Sequence, residues 1–165
     1  MENINEFVME KVYNATRQEI WKAWTDPEIL KQWWGPKNVT IPKCEVDLRV
    51  GGKFYIVMEA GEAMGPYKGT KWPMTAKYTA IEPNSKLSYE AKAWTDGDKK
   101  EDTTIEQTTE IILMDAGDKT KLNIKAAIHK AGPGAKMAVE GMKYGFTEQL
   151  EKLNDFLKTR IDTNQ

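Results

Sequence analysis

Between Lys136 and Arg160 the chain keeps one face apolar for longer than anywhere else. Val139, Met142, Phe146, Leu150, Leu153, Leu157 and Ile161 recur at steps of three and four. Side chains at that spacing fall in one stripe along a 3.6-residue helix, so the run predicts a single long amphipathic helix. At 1.5 Å per residue it measures roughly 38 Å, enough to cross a small domain from end to end. Gly132-Pro133-Gly134 punctuates its start. A stripe this long needs an equally extended apolar surface beneath it, and a sheet supplies one.

Beside the stripe runs a row of small residues, Ala138, Gly141 and Gly145, ending near Phe156. A glycine inside a helix costs about 1 kcal/mol relative to alanine, so two of them require a compensating reason. Either another backbone packs close to the row, or space is left there for a ligand.

The whole chain of 165 residues suits one domain with a substantial core, and a single domain over residues 1–165 is expected. Lys plus Arg number 24 against 25 Asp plus Glu, interspersed rather than blocked, which argues against a nucleic-acid or anionic-membrane partner. No apolar run approaches the ~20 residues of a membrane helix. The single cysteine, Cys44, cannot form an internal disulfide, and the first residues lack the basic and apolar regions of a secretory leader. A cytoplasmic location is expected. Six tryptophans and eight methionines suit an irregular interior.

Taken in order, Phe7 to Tyr13 reads as a first strand. Thr16 and Glu19 form a capping box for a short helix carrying Ile20, Trp21 and Trp24. Asp26 as N-cap and Pro27 as first residue start a second helix, ended by Gly35-Pro36. From Val39 the period changes to alternation. Cys44, Val46, Leu48 and Val50 predict one strand, turned by Gly51-Gly52 into another carrying Phe54, Ile56 and Met58. Gly61 to Pro73 reads as an irregular loop able to gate a pocket. Strands follow over Met74 to Ile81, around Leu87 to Ala93, over Thr103 to Met114 and around Leu122 to Ile128, with a polar tip at 96–100. The expected class is α+β in the order β-α-α-β6-α. Six hairpin-linked strands after the first demand a strongly curved seven-stranded antiparallel sheet wrapped around the long C-terminal helix. Incomplete contact between them leaves an apolar space of the kind small molecules use.

Five stretches in this order carry a family resemblance: Trp21-Lys22-Ala23-Trp24-Thr25-Asp26-Pro27, Trp33-Trp34-Gly35-Pro36, Gly51-Gly52-Lys53-Phe54, Tyr78-Thr79-Ala80-Ile81-Glu82-Pro83, and Gly145-Phe146 followed by Leu150 and Leu153. Over nearly its full length the chain resembles homologues of the activator of heat-shock-protein-90 ATPase, within the START-like (SRPBCC) superfamily that also holds the birch pollen allergen and polyketide cyclases. It departs from that pattern at Phe146, where the family usually has tryptophan, and at Ala76, where it often has glycine. The resemblance implies a helix-grip fold with an internal cavity. It implies less about activity, since relatives include ligand binders, co-chaperone domains and cyclases.

The residues offer little acid–base chemistry. His129 is alone at the end of the last strand and reads as structural, and no catalytic residue is assigned. Asp96-Gly97-Asp98 begins like a calcium loop, but Lys100 takes the next ligand position, so neither a metal nor a cofactor is expected. Cys44 reads as a small core hydrophobe. Of the two indoles at Trp33-Trp34, one packs under the sheet and the other closes a cavity mouth. Met58, Met74 and Met142 would let a cavity adapt to shape, and Thr109, Gln107 and Tyr89 would supply its few polar groups. The candidate ligand contacts are therefore Trp34, Phe54, Met58, Met74, Tyr89, Thr109, Met142, Gly145 and Phe146. The expected function is non-enzymatic binding of a small, largely apolar molecule. Contact with a heat-shock chaperone is the alternative that the resemblance implies, and a cyclase-like or hydrolase-like enzyme ranks last. Edge strands and an apolar mouth would also suit a homodimer.

Overall fold

The structure is a computed structural model and describes residues 5–97 and 99–163, with side chains through Thr159. The opening residues 1–4, Asp98 of the calcium-like tip and the Ile161 side chain of the helical stripe lie outside the described residues. Strand β1 (Asn5–Tyr13) leads into helices α1 (Arg17–Thr25) and α2 (Pro27–Trp33). Strands β2 (Val39–Val46), β3 (Lys53–Ala60), β4 (Lys71–Glu82) and β5 (Lys86–Ala93) follow. A four-residue helix, α3 (Lys100–Thr103), precedes β6 (Ile105–Ala116) and β7 (Lys119–Ala131), and α4 (Lys136–Thr163) ends the chain. The strands form one antiparallel sheet in the order β1-β7-β6-β5-β4-β3-β2. This is the expected α+β helix-grip arrangement, a curved sheet with the long helix on its inner side.

Local chemistry sets the element ends. The Glu19 amide donates to Thr16 Oγ1 at 3.0 Å and the Glu28 amide to Asp26 Oδ1 at 2.9 Å, so both predicted caps are in place. Gly35 follows α2 with φ of +83°, a left-handed conformation that favours glycine. A Cβ there would also approach Met58 Sδ to 2.8 Å and Val39 Cγ2 to 2.9 Å. Register shifts between Thr40 and Lys43, Tyr78 and Ala80, and Glu106 and Gln107 mark bulges, which bend strands and raise their twist.

The core fills the inner face of the sheet. On β6, Ile105, Gln107, Thr109, Ile111 and Leu113 are buried while Glu106, Thr108 and Glu110 between them are half-exposed. On α4, Val139, Phe146, Leu150, Leu153 and Leu157 are buried and Met142 is half-buried, so the stripe does face the sheet. The Tyr13 hydroxyl donates to the Leu150 carbonyl at 3.0 Å, and Phe7 meets Phe146 edge-on at 5.4 Å. These two contacts fasten the first strand to the last helix.

Three segments depart from the alternation. Strand β2 stops at Val46, and Leu48 and Val50 are 41% and 65% exposed, because residues 47–52 form a compact turn with Asp47 N on Lys53 O and Gly52 N on Arg49 O. The Gly61 to Pro73 stretch is only partly irregular: Glu62–Tyr67 makes a short 3-10 turn, and β4 already begins at Lys71, pairing through Pro73 with Val57. Thr103 belongs to α3 rather than β6, where its hydroxyl accepts from the Thr95 amide at 3.0 Å.

Candidate ligand cavity

A cavity of about 380 Å³ opens between the sheet and the first half of α4. That size falls within the ~300–1,000 Å³ typical of small-molecule sites. Its sheet wall is built from Ile56 and Met58 on β3, Trp72 and Met74 on β4, and Ile105 and Gln107 on β6. Cross-strand pairing of Ile56 with Met74, of Met58 with Trp72, and of Ala93 with Ile105 explains why these residues meet at one end of the sheet. The helix wall is Ala138, Gly141, Met142, Gly145, Phe146 and Gln149. Spacing of three and four along α4 aligns them on one face. Met64 of the 3-10 turn, Trp94 beyond β5 and Pro36 border the mouth, where Ala138 and Gly141 are exposed.

The two helix glycines decide between close packing and open space. A Cβ at Gly141 or Gly145 would meet no heavy atom within 4 Å outside the helix. No neighbouring backbone uses the gap, and both glycines line the cavity. The conformational cost of the row therefore goes into volume rather than into contact.

Trp34-Gly35-Pro36 is clamped to α4 from two sides. The Gly35 amide donates to Gln149 Oε1 at 3.1 Å, and Lys152 Nζ donates to the carbonyls of Trp34 at 3.0 Å and Pro36 at 3.3 Å. Burial holds the Lys152 ammonium below the usual lysine range, with Glu148 opposing the shift. The clamp places the Trp34 indole, which is 5% exposed, in the cavity wall.

Of the nine candidate contacts, Trp34, Met58, Met74, Met142, Gly145 and Phe146 line this space. Phe54, Tyr89 and Thr109 do not. Phe54 stacks on Tyr78 at 5.9 Å and meets Trp34 and Tyr89 edge-on at 5.5 and 5.6 Å, inside a packed aromatic group. Thr109 pairs across the strands with Tyr89 and is 2% exposed. All three point to the inner face, as alternation requires, but sit further along it. Alternation reports the face of a sheet and not the distance along it. Trp72, Met64 and Trp94 carry no such signal in the sequence, because they lie in or beside stretches that read as loops. Gln149 had a signal: it is one turn beyond Gly145 in the small-residue row.

Among the described residues no Asp, Glu, Lys, Arg or His lines the cavity. His129 lies on the other face, its Nε2 2.9 Å from Thr108 Oγ1. Among the described residues no group of three or more His, Cys, Asp or Glu is placed to hold a metal ion. Burial pushes the Cys44 thiol up to about 12 and suppresses the nucleophilic thiolate. No helix among the described residues is long and apolar enough to cross a membrane.

Comparison with known proteins places this architecture. The profile of the family described as Activator of Hsp90 ATPase homolog 1-like protein matches residues 14–158. A protein of Nitrosomonas europaea superimposes with a TM-score of 0.73 at 24% identity, over 95% of this chain and 96% of that one. The AHSA1 protein of Silicibacter pomeroyi gives 0.74 at 20% identity, over 94% and 99% of the two chains. A protein of Chromobacterium violaceum gives 0.72 at 22% identity, over 92% and 96%. At these identities the likeness is one of fold. A comparison with curated proteins gave no match.

Proposed function

Because the chain belongs to the Activator of Hsp90 ATPase homolog 1-like family, we propose that it works as that fold's cavity-bearing form does: as a non-enzymatic binder of a small, largely apolar molecule held between the sheet and α4. The observation that carries this reading is the pair Gly141 and Gly145. Each costs the helix about 1 kcal/mol, and neither is needed for packing. Apolar and aromatic walls supply the affinity, and Met58, Met64, Met74 and Met142 let the site fit more than one outline. Among the described residues the wall holds no Asp, Glu, Lys, Arg or His to move a proton to or from the occupant, which favours binding over turnover.

The test is uptake of a neutral fluorescent probe, N-phenylnaphthylamine, by the protein and by its Gly141→Leu and Gly145→Leu variants. Saturable enhancement in the parent chain, lost in Gly145→Leu while cooperative unfolding is retained, is the expected result. Unchanged uptake in both variants would overturn the reading. Native mass spectrometry of the freshly purified protein adds the approximate size of any natural occupant.

The family's description supports a second reading, contact with a heat-shock chaperone. It would act through the outer surface, where Met137 and Tyr144 of α4 are 82% and 70% exposed. Chaperone pull-down and ATPase stimulation that survive Gly145→Leu but not Tyr144→Ala would favour this reading over the first.

A further inference from the structure

The two halves of α4 are held differently. Over residues 136–145 only Val139 is buried, whereas over residues 146–157 Phe146, Gln149, Leu150, Leu153 and Leu157 are. Val139 packs with Ile105, Ile128 and Ala135 in a small cluster apart from the main core, which takes the apolar residues of the second half, and Met142 touches both. Polar ties follow the same division. The second half carries the Tyr13 bond to the Leu150 carbonyl and the clamp of Gln149 and Lys152 on residues 34–36, with Lys37 paired to Glu151 at 3.4 Å outside it. Among the described residues the first half receives one side-chain hydrogen bond from outside the helix, from Asn5 Nδ2 to the Val139 carbonyl at 3.4 Å.

Intrinsic terms add to the imbalance. Gly141 and Gly145 lower the helix propensity of this stretch and gain no contact in return. Its first turn carries Lys136 and no acidic residue, so a cation meets the positive end of the helix dipole. Few buried contacts and poor propensity are the marks of a segment that opens ahead of its surroundings. Ala138, Gly141 and Met142 of that segment also form the helix side of the cavity, with Ala138 and Gly141 exposed at its mouth. We infer that residues 136–144 of α4 are the movable side of the cavity: they swing about Gly145, against a fixed second half, to pass the ligand, and close once an occupant supplies the contacts that the free chain lacks. This inference rests on the ligand-binding reading and adds how the site is entered.

Hydrogen exchange along the intact chain, alone and with saturating N-phenylnaphthylamine, tests it. In the free protein the amides of residues 138–145 are expected to exchange about tenfold faster than those of residues 149–157, and the probe to slow the first set about tenfold while leaving the second unchanged. Two exposed substitutions outside the cavity wall add a kinetic readout. Glu140→Gly weakens the first half of the helix and Asp155→Gly the second, both through propensity. A gate is passed in both directions, so Glu140→Gly should speed probe association and dissociation alike, by about threefold with affinity unchanged, whereas Asp155→Gly should leave both rates as they are. A residue that only shaped the closed site would change the affinity instead. Equal exchange in the two halves, a probe effect confined to the second, or equal rate changes in the two variants overturns the gate and leaves the ligand-binding reading intact. Absence of saturable probe uptake overturns both.

Discussion

The space between the sheet and α4 is solid at one end and open at the other, although the same elements build both. At the solid end Trp24, Trp33 and Trp34 meet at ring distances of 4.8 to 5.8 Å, and Phe54, Tyr78 and Tyr89 continue the group. Leu150, Leu153 and Leu157 close it from the helix side, each no more than 2% exposed. At the open end α4 presents Ala138, Gly141 and Gly145 instead, and Met58 and Met74 flank Trp72 on the facing strands. Side-chain size along one helix is enough to turn a core into a container. The solid end holds the fold together, so the open end is free to give up packing.

The largest effect that would sharpen this contrast is Trp33→Ala. Trp33 is fully buried and its Nε1 donates to the Ala23 carbonyl at 3.0 Å. Removing it should cost about 3–5 kcal/mol in urea unfolding. A loss below about 1 kcal/mol would mean that the solid end is not the stabilising one.

Alkali separates the ends next, because the buried ionisable groups with raised pKa values belong to the main core and none lines the cavity. Burial raises Tyr13, Tyr78 and Tyr89 above the usual phenol range and Cys44 from 9.0 to about 12. The folded chain keeps protons that the unfolded chain releases. Their contribution is therefore complete below the unfolded values, about 9 for the thiol and about 10 for the phenols, and is lost as pH rises toward the folded ones. Lys152, lowered by burial, pulls the other way on its own. Unfolding free energy is expected to fall steadily above pH ~9, and Cys44→Ser should delay the onset. A flat profile to pH ~11 would break the assignment.

The smallest effect is the most specific to the open end. Gly141→Ala and Gly145→Ala should each raise stability by about 1 kcal/mol, since the added methyl meets open space and helix propensity improves. Thermal denaturation reads this directly. Destabilisation by both would return the row to a packing role.

Much of the architecture was legible in the chain because it rests on periods and caps. The switch from steps of three and four to strict alternation located the long helix and most strands, and Thr16, Glu19, Asp26 and Pro27 placed two short helices by chemistry that acts within a few residues. The same alternation overran at Leu48 and Val50, where no partner strand was present to bury them. The site was legible only in part. Phe54, Tyr89 and Thr109 share the inner face with Met58 and Met74, and nothing in a two-residue period says which of them adjoin the helix glycines.

By itself the sequence determined a long helix with one apolar stripe, a run of strands able to cover it, and a row of small residues that needed an explanation. Those are properties of neighbours along the chain. Only the tertiary structure decided that the small row faces empty space, that Trp72 and Trp94 join Trp34 around it, and that Gln107 and Gln149 line the same cavity from opposite walls. Residues 107 and 149 come together because strand register and helix placement are set by the whole sheet, and no local rule carries that distance.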